Sequence, residues 1–143
     1  MKKYKVEEHT ADISISASGK TIEELLVNTA EGLLSEFVDI ASFKKSDYKS
    51  DLCEDKFLIE FIDYENCLIQ FLNKIIYLVE VEDKVPVKFN LSFLSKKLEV
   101  NCFYLYIGEK DNVKKRNIKA ATYYDVKIVK DKVDYKVKVV FDV

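Results

Sequence analysis

The feature that most constrains the fold is a change of period near the N-terminus. From Asp12 to Ser18, polar and apolar residues alternate strictly: Asp12, Ser14, Ser16 and Ser18 on one side, Ile13, Ile15 and Ala17 on the other. That is the pattern of a half-buried strand. After the Gly19-Lys20 turn, Ile22, Leu25, Leu26, Ala30, Leu33, Leu34 and Phe37 recur at helical spacing. Thr21-Ile22-Glu23-Glu24 stands in front of them with the form of a capping box, Thr21 as N-cap and Glu24 three residues on. Strand and helix each carry one apolar face, and each must bury it against another element.

The rest of the chain supplies those partners. Residues 4–7 read as a short strand, separated from the next by the Glu8–Ala11 loop. Residues 40–56 are charged and serine-containing and read as an exposed loop or edge strand; Phe57–Ile62 reads as a strand. Asp63 stands where an N-cap would. Behind it Tyr64, Leu68, Phe71, Leu72, Ile75 and Val79 form a second helical stripe, broadened by Ile69, Ile76 and Leu78, so this helix packs on more than one side. Val85, Val87, Phe89, Leu91 and Phe93 then alternate with polar residues. Ser95-Lys96-Lys97 turns into a strand over Leu98–Ile107, and Ala121–Val129 reads as another. A turn at Lys130-Asp131-Lys132 leads to the last strand, with Tyr135, Val137, Val139, Phe141 and Val143 on one face. Its other face carries Asp134, Lys136, Lys138, Val140 and Asp142. The expectation is an α+β fold, two amphipathic helices on a mainly antiparallel sheet, in a single domain over residues 1–143.

Composition narrows the chemistry. With 143 residues the chain is long enough for a hydrophobic core. A net charge of −2 gives the whole protein no pull on nucleic acid or anionic membrane, though it leaves room for a local basic patch. Cys53, Cys67 and Cys102 lack the close pairing of a zinc ribbon or disulfide scaffold, and the latter two read as small buried hydrophobes. Gly19, Gly32 and Gly108 stand alone, so neither phosphate-loop pattern exists; H-E-x-x-H and the EF-hand spacing are also missing. The N-terminus does not read as a signal peptide, and no segment approaches a membrane span. A soluble, cytoplasmic protein is expected.

Three sets of residues remain as candidates. His9, the lone histidine, has the type of a base or metal ligand, but no motif marks a nucleophile beside it. It reads as a structural residue at the strand entrance. Asp12 opens the polar face of an early strand, Asp142 sits on the polar face of the last, and the α-carboxylate of Val143 follows. Brought together, such groups would repel, and a hard cation such as calcium would resolve the conflict. Zinc fits less well without a thiolate or second histidine. If the two strands are far apart, both aspartates are simply solvated. Third, Lys110, Lys114, Lys115, Arg116 and Lys119 lie in the charged segment Gly108–Lys119 and could meet RNA phosphates or an acidic partner. Glu109 and Asp111 interrupt that run and no aromatic platform accompanies it, so a solvated loop is the better reading.

These residues resemble a known family. His9-Thr10-Ala11-Asp12 followed by Gly19-Lys20-Thr21-Ile22-Glu23-Glu24-Leu25 is similar to the H-T-A-D … G-x-T-L-E-E opening of archease proteins. Lys119-Ala120-Ala121-Thr122-Tyr123 is similar to their K-A-V/I-T-Y, and Phe141-Asp142-Val143 to their terminal D-I or D-V. The resemblance covers the whole chain. It implies an accessory protein of the tRNA-splicing RNA ligase RtcB, one that promotes GTP-dependent guanylylation and multiple turnover of the ligase and is not itself an enzyme. It also implies a metal site, usually calcium, at Asp12, Asp142 and Val143, and a functional role for Lys119 at the ligase interface; His9 matches the family histidine and is read as supporting the Asp12 loop. Tyr124 stands where many members have histidine, Ala121 replaces a larger aliphatic residue, and the 108–119 segment is more basic than is usual in the family. A different class of function is a tRNA-binding module that modulates a tRNA-modifying enzyme. A metal-dependent hydrolase built on His9, Asp12 and Asp142 ranks last.

Overall fold

A computed structural model describes residues 3–8, 11–39, 52–107 and 114–143. The expectation for His9 therefore lies outside the described residues, as does Lys110. In chain order the elements are β1 (Tyr4–Glu8), β2 (Asp12–Gly19), α1 (Ile22–Phe37), β3 (Cys53–Glu60), α2 (Tyr64–Glu80), β4 (Lys84–Leu94), β5 (Lys97–Tyr106), β6 (Ala120–Ala121), β7 (Val129–Lys130) and β8 (Tyr135–Asp142). The α+β class is as expected.

Both helices begin where their caps predict. Thr21 accepts a hydrogen bond from the Glu24 N–H at 3.0 Å, and Asp63 accepts one from the Asn66 N–H at 2.8 Å. The turn from β2 into α1 requires glycine, because a Cβ at Gly19 would lie 2.5 Å from the Leu25 nitrogen. Gly32 does the same for packing. A Cβ there would lie 2.9 Å from both Ile15 Cγ2 and Tyr4 Cγ, so glycine lets α1 settle onto β1 and β2. Leu25, Leu33 and Phe37 of α1 and Leu68, Phe71, Leu72 and Ile75 of α2 are fully buried against Ile13, Ile15, Val139 and Phe141 of the sheet. Truncating one of the largest, Phe141→Ala, would cost about 3–5 kcal/mol.

Three sequence readings need correction. The strands form two sheets, not one: a five-stranded sheet with the path β1-β2-β8-β6 and β7 paired to β8, and a three-stranded sheet ordered β3-β5-β4. Strand β3 starts at Cys53, within the segment read as loop or edge strand, and stops at Glu60, short of Ile62. It is an edge strand, where charged residues such as Glu54, Asp55 and Lys56 are at home. The continuous strand expected over Ala121–Val129 is also absent. Only its ends pair with β8, and between them the chain leaves the ladder, with Asp125 at φ 56°. Contacts with the start of α2 hold that excursion: Asn66 Nδ2 donates to Tyr123 Oη at 2.8 Å, and the Ile128 N–H donates to Glu65 Oε2 at 3.1 Å.

Candidate metal centre at the end of the five-stranded sheet

The opposite ends of the chain meet in one ladder. Strands β2 and β8 pair antiparallel with Asp12 opposite Asp142, Ser14 opposite Val140 and Ser16 opposite Lys138. On the far side of β8, Ala120 of β6 stands opposite Asp142. Directly opposed side chains share a face with Cβ atoms about 4.5–5.5 Å apart, and like charges placed so are destabilising. Asp12 is half-buried and Asp142 exposed. The two carboxylates thus converge at one end of the sheet's outer face, and Val143 follows directly.

Residues just before β6 fasten this corner. Ile118 is fully buried. The next residue, Lys119, has an exposed side chain, while its N–H donates to the Asp142 carbonyl at 2.8 Å. The open edge of β6 is closed by a side chain. Asn73 Oδ1 accepts the Ala121 N–H at 2.8 Å and Asn73 Nδ2 donates to the Ala121 carbonyl at 3.3 Å. One amide from α2 therefore does for Ala121 what a neighbouring strand would do. Thr122 continues the attachment, its N–H and Oγ1 donating to the Val140 carbonyl at 2.9 and 3.0 Å.

Asn73 and Ser14 were not singled out by sequence. Asn73 is a lone amide beside the apolar stripe of α2, which is the one signal available. Ser14 sits on the polar side of the alternation but is only 3% exposed, and its Oγ has no hydrogen-bond partner. Leaving a buried hydroxyl unsatisfied costs about 1–3 kcal/mol. An orphaned oxygen one step along the same face from two opposed carboxylates suits a cation held by oxygen donors. Among the described residues no three His, Cys, Asp or Glu side chains gather into a metal cluster. A shell built here would draw its remaining oxygens from main-chain carbonyls or water, as calcium sites do. Cysteine chemistry has no part in it: burial pushes the Cys67 and Cys102 thiols up to about 12, which keeps both neutral.

Three basic side chains in the described part of the segment pair with carboxylates at the surface. Lys114 pairs with Glu80 of α2 at 2.6 Å, Lys115 with Glu36 of α1 at 3.9 Å, and Arg116 with Glu8 and, at 3.6 Å, Glu36. Lys115 also donates from its main chain to the Phe37 carbonyl at 2.7 Å. These charges tie the segment to the helices. Lys119 alone of this described group stands clear of such a pair.

Comparison with known proteins agrees with this architecture. Residues 4–143 match the archease protein family (MTH1598/TM1083). Protein archease of Methanosarcina mazei is 31% identical over 147 aligned positions, covering 99% of this chain and 97% of that one. Its namesake in Pyrococcus furiosus is 30% identical and covers 90% and 89%. Among solved structures, protein 1598 of Methanobacterium thermoautotrophicum superimposes with a TM-score of 0.74 over the full length of both chains, at 18% identity. A Thermotoga maritima structure described as an archease and possible chaperone gives 0.67 at 27% identity, covering 97% of this chain and 96% of that one.

Proposed function

From the premise that this chain belongs to the archease family, we propose that it is a calcium-binding accessory protein of an RtcB-type RNA ligase. In this reading it promotes the ligase's GTP-dependent guanylylation and multiple turnover in tRNA splicing and RNA repair. It acts in the cytoplasm, has no turnover of its own and meets tRNA through the ligase. Among the described residues no helix is long and apolar enough to cross a membrane.

The observation that carries the proposal is the register that sets Asp12 opposite Asp142. A hard cation held there by the two carboxylates, with the Val143 α-carboxylate beside them, would neutralise the confrontation and supply a positive centre at an exposed corner. The protein's own part is to hold its ligands in place before the partner arrives. Ile118 buries its side chain, Asn73 clamps Ala121, and Lys119 is bonded through its main chain to Asp142. Such preorganisation lowers the ordering cost of docking. The Lys119 ammonium, exposed at the same corner, is suited to an anionic group in the ligase site, such as a nucleotide phosphate.

Multiple-turnover RNA joining by the RtcB ligase of the same organism tests this, with and without the chain and with Asp12→Ala and Lys119→Ala variants. Wild type is expected to restore repeated turnover and guanylylation, and both variants to lose that effect. If wild-type protein leaves turnover unchanged, the activator reading fails. The hydrolase alternative would need a cluster of three His, Cys, Asp or Glu side chains, and none is found among the described residues.

A further inference from the structure

The outer face that carries Asp12 and Asp142 ends, at its other end, in lysines. Lys5 of β1 is opposite Ser16, and Ser16 is opposite Lys138 of β8; in the next outward-facing row Ser18 is opposite Lys136, which is opposite Val129. Lys127, two residues before Val129, lines the same trough as Lys138. Together these side chains wall a trough of about 510 Å³, with Ser16 and Ser18 on its floor. Lys5 and Lys138 are separated by one intervening strand, which makes the trough about 10 Å wide.

Two of these lysines have weak company. Lys136 lies 2.9 Å from Asp131 and Lys5 lies 3.4 Å from Glu7, both as exposed surface pairs of the kind worth little. Lys127 and Lys138 have no carboxylate within ion-pair distance among the described residues. Exposed ammonium groups gathered around one trough raise its positive potential, which attracts an anion.

We propose that this trough binds the phosphodiester backbone of a single RNA strand. Lys127 and Lys138 meet phosphates, with Lys5 and Lys136 released to do the same, and the Ser16 and Ser18 hydroxyls donate to phosphate oxygens. The composition decides between RNA and an acidic protein surface. Cores of protein–protein interfaces are depleted in lysine and serine and enriched in aromatic residues and arginine, whereas lysine and serine are ordinary phosphate contacts. The width admits one backbone and no duplex. Tyr4 also lines the trough; an aromatic face can stack on any base, and with no base-reading amide beside it binding is indifferent to sequence. The lysines of the 110–119 segment are not part of it; it is a separate surface, and it does not depend on the ligase reading.

The test uses the intact chain alone, with fluorescence anisotropy of a short labelled single-stranded RNA of mixed sequence across salt concentrations. Wild type is expected to bind, weakening steeply between about 50 and 200 mM salt. The double variant Lys127→Gln/Lys138→Gln should lose at least tenfold in affinity at low salt. Its slope of log affinity against log salt should flatten by about 1.4, since each single-strand phosphate contact contributes about 0.7. Lys96→Gln, in the β4–β5 turn of the other sheet, should change neither. Circular dichroism confirms folding; if the double variant does not fold, each single variant should flatten the slope by about 0.7. Absence of salt-dependent binding by wild type overturns the proposal, and so does a double variant with unchanged affinity and slope. A double variant that binds RNA normally but loses affinity for the ligase overturns it too, in favour of a protein-docking face. Because the ligase is absent from the RNA measurement, failure of ligase activation and failure of RNA binding are read separately.

Discussion

One face of one sheet carries acidic side chains at one end and basic side chains at the other. At one end Asp12 opposes Asp142 within the regular register of β2 and β8. At the other, Lys138 and Lys127 line one trough where the chain is only rejoining β8 after its excursion. The difference lies in how tightly each pair is held. The aspartates are short, sit on paired strands beside the buried Ser14 hydroxyl, and are backed by the bond from the Lys119 N–H. The lysines are long, exposed and able to choose among many rotamers. Fixed oxygens suit a small hard cation, which demands coordination from several directions. Mobile ammonium groups suit a polymer backbone, which asks for charge more than geometry.

Several substitutions would break or sharpen that contrast. The largest effect is expected from Asp12→Ala or Asp142→Ala, which should abolish calcium binding measured by titration calorimetry, because each removes a carboxylate of the kind calcium is held by. Wild type with calcium at 100 times its dissociation constant should gain about 2.7 kcal/mol of stability, and these variants should gain none. In calcium-free buffer, Asp12→Asn should melt at or above the wild-type temperature because a like-charge opposition is gone. A clear loss of stability there would show that the pair is not in conflict. A tag that extends the chain past Val143 should also weaken calcium binding; normal affinity in the tagged protein would remove Val143 from the ligand set.

Next in size is Asn73→Ala. It leaves the Ala121 N–H and carbonyl without their partner and should cost about 1–3 kcal/mol in denaturant unfolding. It should also weaken calcium binding, since the amide holds the strand beside Asp142, while RNA binding at the lysine end should be untouched.

Coupling between the two ends should be smaller and dependent on salt. Lys138 and Asp142 are separated by four residues of one strand, about 13 Å. That exceeds the Debye length of about 8 Å at 0.15 M and lies well within the 30 Å of 0.01 M salt. Lys138→Glu should therefore tighten calcium binding severalfold at the lower salt and leave it nearly unchanged at the higher. Equal effects at both would mean a structural link between the ends.

The smallest effect concerns Asp131, at the hairpin that delivers β8 to the trough. It accepts the Val133 and Asp134 N–H groups at 2.9 and 2.8 Å and pairs with Lys136, so its carboxyl is held well below the ordinary value of 3.8. A depressed carboxylate contributes its stability fully above the unfolded value and loses it as pH falls below about 3.8 toward the folded one. Wild type should shed a little stability over that acid range, and Asp131→Asn should lack that part of the loss in acid-titrated melts.

Much of this was legible in the chain itself. The helices, their caps and most strand faces followed from local periodicity. The pattern also marked Asp12 and Asp142 as polar-face residues of two strands, and the K-A-A-T resemblance drew attention to Lys119. The basic run near Arg116 read as a solvated loop, and spacing along the chain does not show that Glu8, Glu36 and Glu80 stand close enough to pair with its described part. The trough was invisible for the matching reason. Lys5 comes from the N-terminal end of the chain and Lys127 and Lys138 from its last hairpin, and no local pattern links them.

The sequence by itself determined the two helices and where they start, most of the extended segments, and which residues of the long strands face the core. Those outcomes rest on interactions within a few residues: hydrophobic period, capping and turn chemistry. Tertiary structure alone decided that the first long strand pairs with the last, in the register that opposes Asp12 to Asp142 and sets Lys5 in line with Lys138. Register is chosen by burial of the whole inner face at once. Sliding one residue would turn Ile13, Ile15, Val139 and Phe141 out of the core, and that collective cost outweighs the repulsion of two aspartates or two lysines.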